Sequence, residues 1–165
     1  MSAVSFNAPT FAKDEVGITE TVVINADPKI VFDAIRKERD SPEAHRKTIT
    51  YDGKVAKVDE HMSDVPVFGK VHCIMQETEH PYTRIDYVML ESDHFKSASG
   101  HYVLSPSADQ KSTTVELENF VDPGIRIPFA GMIARNSSRK SAKERLARIK
   151  SVAEKQCAQS GIKSK

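Results

Sequence analysis

Six histidines, His45, His61, His72, His80, His94 and His101, are the side chains best suited to proton transfer or metal binding near neutral pH. None stands in an HxH or HExxH spacing, so the sequence presents no ready metal-ligand set. Glu79-His80 and Asp93-His94 are adjacent acid–imidazole pairs. In a strand, neighbouring side chains point to opposite faces, and such a pair cooperates only where a turn folds it together. Cys73 and Cys157 lie far apart with no CxxC or Cys/His spacing, and nothing calls for a disulfide between them. No GxSxG elbow, phosphate-binding loop or dinucleotide fingerprint occurs. What remains is a few polar groups, Tyr87, Asn119 and His101, able to orient a bound molecule or to act as acid or base. The expectation is no metal and no cofactor.

A chain of 165 residues suits one domain with a real core. The formal net charge of +1 supplies no field that would favour nucleic acid, which is not expected as a partner. The first fifteen residues lack a basic start followed by an apolar run, and no stretch approaches the roughly 18–20 apolar residues that span a bilayer. These features read as a reduced, cytoplasmic protein without stable membrane insertion.

The elements that must position the polar groups follow from periodicity. Residues 1–17 are aperiodic and read as a loosely attached lead-in to a domain over 18–157, with 158–165 as a tail. Ile18 to Ala26 is β-favouring. At Asp27-Pro28 the period changes: Asp27 caps a helix and Pro28 suits its first turn, with Ile30, Val31, Ala34 and Ile35 on one face, fading near Glu38 to Asp40. Ser41-Pro42-Glu43 repeats the start signal for a second short helix. Strands are then expected at 48–51, 55–61, 68–78, 84–91, 100–105 and 113–121, joined by turn chemistry such as Asp52-Gly53. With no helix between them, they form an antiparallel meander. Pro128 opens a helical pattern to about Cys157. Met62 to Phe68 reads either as a loop bordering a ligand site or as a strand bent before Pro66.

This order resembles the START-like or SRPBCC superfamily. Ile24-Asn25-Ala26-Asp27-Pro28-Lys29-Ile30-Val31-Phe32-Asp33-Ala34-Ile35 is similar to the family's opening, where a strand ends in Ala-x-Pro and a helix follows. Asp122-Pro123-Gly124-Ile125-Arg126-Ile127-Pro128-Phe129 is similar to its entry into the last helix. The resemblance spans roughly Ile18 to Glu154. It implies an α+β helix-grip fold, a curved antiparallel sheet wrapped around a long C-terminal helix, enclosing a cavity. Members include lipid and sterol carriers, polyketide aromatase/cyclases, plant hormone receptors and chaperone co-activators, so fold leaves function open.

Alternation assigns the strand faces. Val115, Leu117 and Asn119 point inward opposite Glu116 and Glu118, and Ile85, Tyr87 and Met89 opposite Arg84 and Asp86. Val71, Cys73 and Met75 point inward opposite Lys70, His72 and Gln76. The face of 101–104 is undecided between His101/Val103 and Tyr102/Leu104. From the helix, Ile127, Phe129, Met132, Ile133 and Asn136 complete the expected ligand-binding set. The same side chains would pack a closed core equally well; the cavity is implied by the resemblance. The resulting expectation is a small hydrophobic ligand, a lipid, isoprenoid or polyketide-like molecule, bound or carried inside. The alternatives are a polyketide cyclase/dehydratase-like enzyme in the same cavity, or a protein-interaction module resembling chaperone co-activators. The basic run Arg135, Arg139, Lys140, Lys143, Arg145, Arg148 and Lys150 reads as a solvated outer face, or as a surface for transient contact with a membrane or acidic partner.

Overall fold

The computed structural model describes residues 15–162, so residues 1–14 of the lead-in read at 1–17 and the last three residues of the tail lie outside the described residues. Among the described residues there are seven strands: β1 (Val16–Ile24), β2 (Arg46–Tyr51), β3 (Val55–Val65), β4 (Gly69–His80), β5 (Arg84–Ser92), β6 (Ser97–Pro106) and β7 (Thr113–Asp122). They form one antiparallel sheet in the order β1-β7-β6-β5-β4-β3-β2. The first two strands are therefore its two edges, and the chain crosses between them through α1 (Pro28–Arg39). The long helix α2 (Ala130–Ile162) packs on β1, β7 and α1. This is the curved-sheet, helix-grip architecture expected from the sequence.

Local chemistry accounts for the boundaries. The Asp27 carboxylate accepts from the amides of Lys29 and Ile30 at 2.9 and 3.0 Å, which starts α1. Ser41 caps in the same way, but His45 at φ 51° ends the element after one 3-10 turn, Pro42–Ala44, rather than a helix. Phe129 sits at φ 63°, so α2 begins at Ala130 and not at Pro128. No proline interrupts it afterwards, and it runs past Cys157 to Ile162. Inward faces alternate as expected in β4, β5 and β7, and Tyr102 and Leu104 are the buried pair of β6. Cys73 and Cys157 are both free.

The alternation also carries charge inward. On β4 the buried face runs Val71, Cys73, Met75 and then Glu77 and Glu79. On β3 it runs Ala56, Val58 and Glu60. These glutamates meet Glu38, Arg39 and Arg46 in a buried network reached from α2 by Arg145 and Arg148. Arg46 bonds Glu60 at 3.1 Å, lies 3.5 Å from Glu38, and pairs with Glu77; Arg39 bonds Glu77 and Glu79 at 3.1 and 3.0 Å. Burial works against the Arg46 charge, yet Glu60 and Glu77 more than offset it and raise its pKa. Losing one partner of such a network typically costs about 3–5 kcal/mol, because the remaining charges stay buried. Arg46→Met is expected near the lower end of that range in urea denaturation, since Glu60, Glu77 and Glu38 each keep a second arginine.

Candidate functional site

The face that α2 turns to the sheet is set by its second half, where Ala142, Leu146, Ile149 and Ala153 are buried. Counting back in helical steps, the same face continues through Ser138, Ala134 and Ala130, flanked by Ser141 and Ser137. All are small. Opposite the C-terminal half, leucine and isoleucine fill the space to the sheet; opposite the N-terminal half, alanines and serines do not. A cavity of about 430 Å³ occupies the gap. Its apolar wall comes from Cys73, Met75, Leu117 and Ile133, with Phe95 and Val121 nearby. The β3–β4 turn borders it through Met62, Val65, Pro66 and Phe68, so the segment left open in the sequence is both a strand end and a rim. Val67, at φ 74° and 62% exposed, holds that turn in a backbone region β-branched residues seldom adopt.

One end of the cavity is polar. Glu60 projects from β3 and accepts from Arg46 Nε at 3.1 Å and from Arg145 Nη2 at 2.7 Å. Burial pushes its carboxyl up, but Arg46 and Arg145 together more than offset this and hold it below the ordinary value of 4.5. Tyr87 places its hydroxyl 3.0 Å from both the Asn119 side-chain oxygen and the Glu118 carbonyl. Burial raises its pKa well above the usual tyrosine value, so the phenol is neutral. Its path crosses Gly100, where a Cβ would collide with the Tyr87 hydroxyl and the Glu118 carbonyl. Cys73 is buried, and burial pushes its thiol up to about 11, leaving it unreactive at neutral pH.

Of the residues expected to line a ligand site, Cys73, Met75, Tyr87, Leu117, Asn119 and Ile133 border the cavity. Val71, Ile85 and Val115 face inward but lie in closed core, and Met89 packs at its margin. Ile127, Phe129, Met132 and Asn136 do not border it: Phe129 is 74% and Met132 56% exposed. Ile127 and Phe129 precede α2, and on the helix itself continuing the buried face of the second half turns Met132 and Asn136 to solvent and brings the small side chains inward. The basic run is likewise redistributed. Arg145 and Arg148 reach Glu60 and Glu38, Arg139 pairs with Glu20 at 2.8 Å, and Lys150 bonds the Val23 carbonyl. Glu60, Arg46 and Arg145 were not among the expected site residues. A charged residue inside a strand pattern, such as Glu60, reads as a mark of the wet face. Arg46 precedes the strand expected at 48–51, and Arg145 belongs to the basic run read as a solvated helix face.

The profile of the polyketide cyclase / dehydrase and lipid transport family matches residues 15–154. The chain belongs to this family. Its START-like character, read from the order of elements and two short segments, is thereby shown. No curated protein sequence matches the chain. Among solved structures, the ZhuI aromatase/cyclase from Streptomyces sp. R1128 superposes with a TM-score of 0.73 at 14% identity, over 87% of this chain and 96% of that one. The di-domain ARO/CYC StfQ of the steffimycin biosynthetic pathway gives 0.70 at 12% identity, over 87% of this chain and 52% of that one. A START superfamily protein from Mycobacterium smegmatis gives 0.60 at 14% identity, over 87% and 97%. At these identities the likeness is one of fold. Among the described residues, no helix is long and apolar enough to cross a membrane.

Two outcomes follow from this geometry. Gly100→Ala is expected to lose about 1–3 kcal/mol in urea denaturation, as overpacking does, because the backbone carbonyl it meets cannot swing aside. The depressed Glu60 pKa contributes stability that is present above pH 4.5 and lost as pH falls through the folded-state value. Glu60→Gln should therefore flatten the acid limb of a stability-against-pH curve.

Proposed function

We propose that the protein binds a small, largely apolar molecule with one polar end in the cavity between α2 and the sheet. The observation that carries this reading is the run of small residues on α2, Ala130, Ala134, Ser137, Ser138 and Ser141, facing an apolar wall across open space. A side chain such as leucine at any of these would begin to close it. Each 100 Å² of apolar ligand surface taken from water favours binding by about 2.5 kcal/mol, before the costs of ordering. Arg145 and the Tyr87–Asn119 pair supply the polar contacts that would orient the ligand, matching a carboxylate, phenol or carbonyl. Family membership supports a ligand of lipid or polyketide type.

The polar end also weighs binding against turnover. A general base works best with a pKa near the operating pH. Glu60 is held well to the acid side by two arginines, and Tyr87 is held neutral. Both groups suit recognition better than proton transfer.

Native mass spectrometry of the purified protein, with solvent extraction, tests the reading. A co-purifying apolar molecule is expected, and Ala134→Trp should reduce its occupancy at least about tenfold while leaving the melting temperature close to that of the parent. An empty parent that also ignores fatty acids and aromatic polyketides would overturn it.

A further inference from the structure

Asp59, His61 and His72 converge on the face of the sheet away from the cavity. His61 and His72 are register partners on β3 and β4, and Asp59 lies two residues from His61 on the same face. The two imidazoles stack at 4.5 Å between centroids, 17° from parallel. Both point Nε2 at one atom, Asp59 Oδ1, at 3.2 Å from His61 and 2.7 Å from His72. Three potential ligand atoms thus lie within 4.8 Å of one another, on backbone held rigid by strand pairing.

We infer that Asp59, His61 and His72 form a surface site for a divalent transition-metal ion, with Zn²⁺ as its representative occupant. Ligands about 2.0–2.1 Å from a tetrahedral zinc lie roughly 3.3 Å apart, so Asp59 and His72, now 2.7 Å apart, need to separate by about 0.6 Å. Side chains with exposures of 64% for His61, 43% for His72 and 34% for Asp59 have room to do so. Two imidazoles and one carboxylate select zinc, copper or nickel over calcium and magnesium, which take oxygen ligands. Water completes the coordination. A bound ion would tie β3 to β4 beside the turn that borders the cavity.

The sequence conceals this set because its members are separated by one strand turn, and only the register of β3 on β4 brings His72 to His61. A comparable exposed acid–imidazole pair, His80 with Asp86 at 3.0 Å, lacks a second histidine and serves as the control.

Isothermal titration of ZnCl₂ into the chelator-treated full chain, in a weakly coordinating buffer, is expected to show one ion per chain. His61→Asn and His72→Asn should each weaken binding by at least about tenfold, the lower end of what even indirect partners of a metal ligand contribute. His80→Asn should bind as the parent does. Should either variant fail to fold, imidazole nitrogen NMR of the parent reads the same question directly: Zn²⁺ should shift Nε2 of His61 and His72 and leave His80 unmoved. Absence of binding at about 1 mM Zn²⁺, or binding that survives both substitutions or leaves those two nitrogens unshifted, would overturn the assignment.

Discussion

Arg46 enters the sheet at the first residue of β2, buried, with Glu38 from α1, Glu60 from β3 and Glu77 from β4 around it. Its guanidinium offers a planar fork of donors, so one side chain engages carboxylates from three elements at once. The arrangement is completed from the far side by Arg145 and Arg148 of α2. A charge buried without partners is strongly disfavoured, so this network forms only when α1, β2, β3, β4 and α2 are all in place. It therefore acts as a condition on the tertiary structure: the long helix must cross the sheet at the height where its arginines meet those glutamates.

That condition bears on the cavity. With the arginine end of α2 anchored by charge and Leu146 and Ile149 packed below it, the N-terminal half of the helix continues along a line set elsewhere. It cannot move in to close the gap left by its alanines and serines without dragging Arg145 from Glu60. The void is in this sense supported from one side. The same glutamate that anchors the helix forms the polar end of the cavity, so stability and recognition share a residue.

Tyr87 shows the same economy on the sheet side. It needs a partner for its buried hydroxyl, and it finds the Glu118 carbonyl and Asn119 across the bare backbone of Gly100. The missing side chain at Gly100 is what lets a large phenol lie flat against β6 and leave the central cavity open.

The order of elements, the cap at Asp27, the antiparallel meander and the inward faces of β5 and β7 were all legible in the sequence. Each depends on contacts between residues a few positions apart, where periodicity and turn chemistry act directly. The buried glutamates were not. Alternation alone places Glu77 and Glu79 inward behind Val71, Cys73 and Met75, but a charged residue is tolerated there only because Arg39 and Arg46 arrive from other elements. The cavity face of α2 was misplaced for a related reason. Phenylalanine at 129 and methionine at 132 suggest an inward face, yet Phe129 stands before the helix at positive φ, and packing around Leu146 and Ile149 sets the rotation that turns Met132 outward. The sequence by itself determined which segments are strand or helix and which side of most strands is dry, because those are local matters. Which charges could be buried, where a void persists, and which histidines meet were decided by strand register and helix rotation, which exist only once distant parts of the chain have come together.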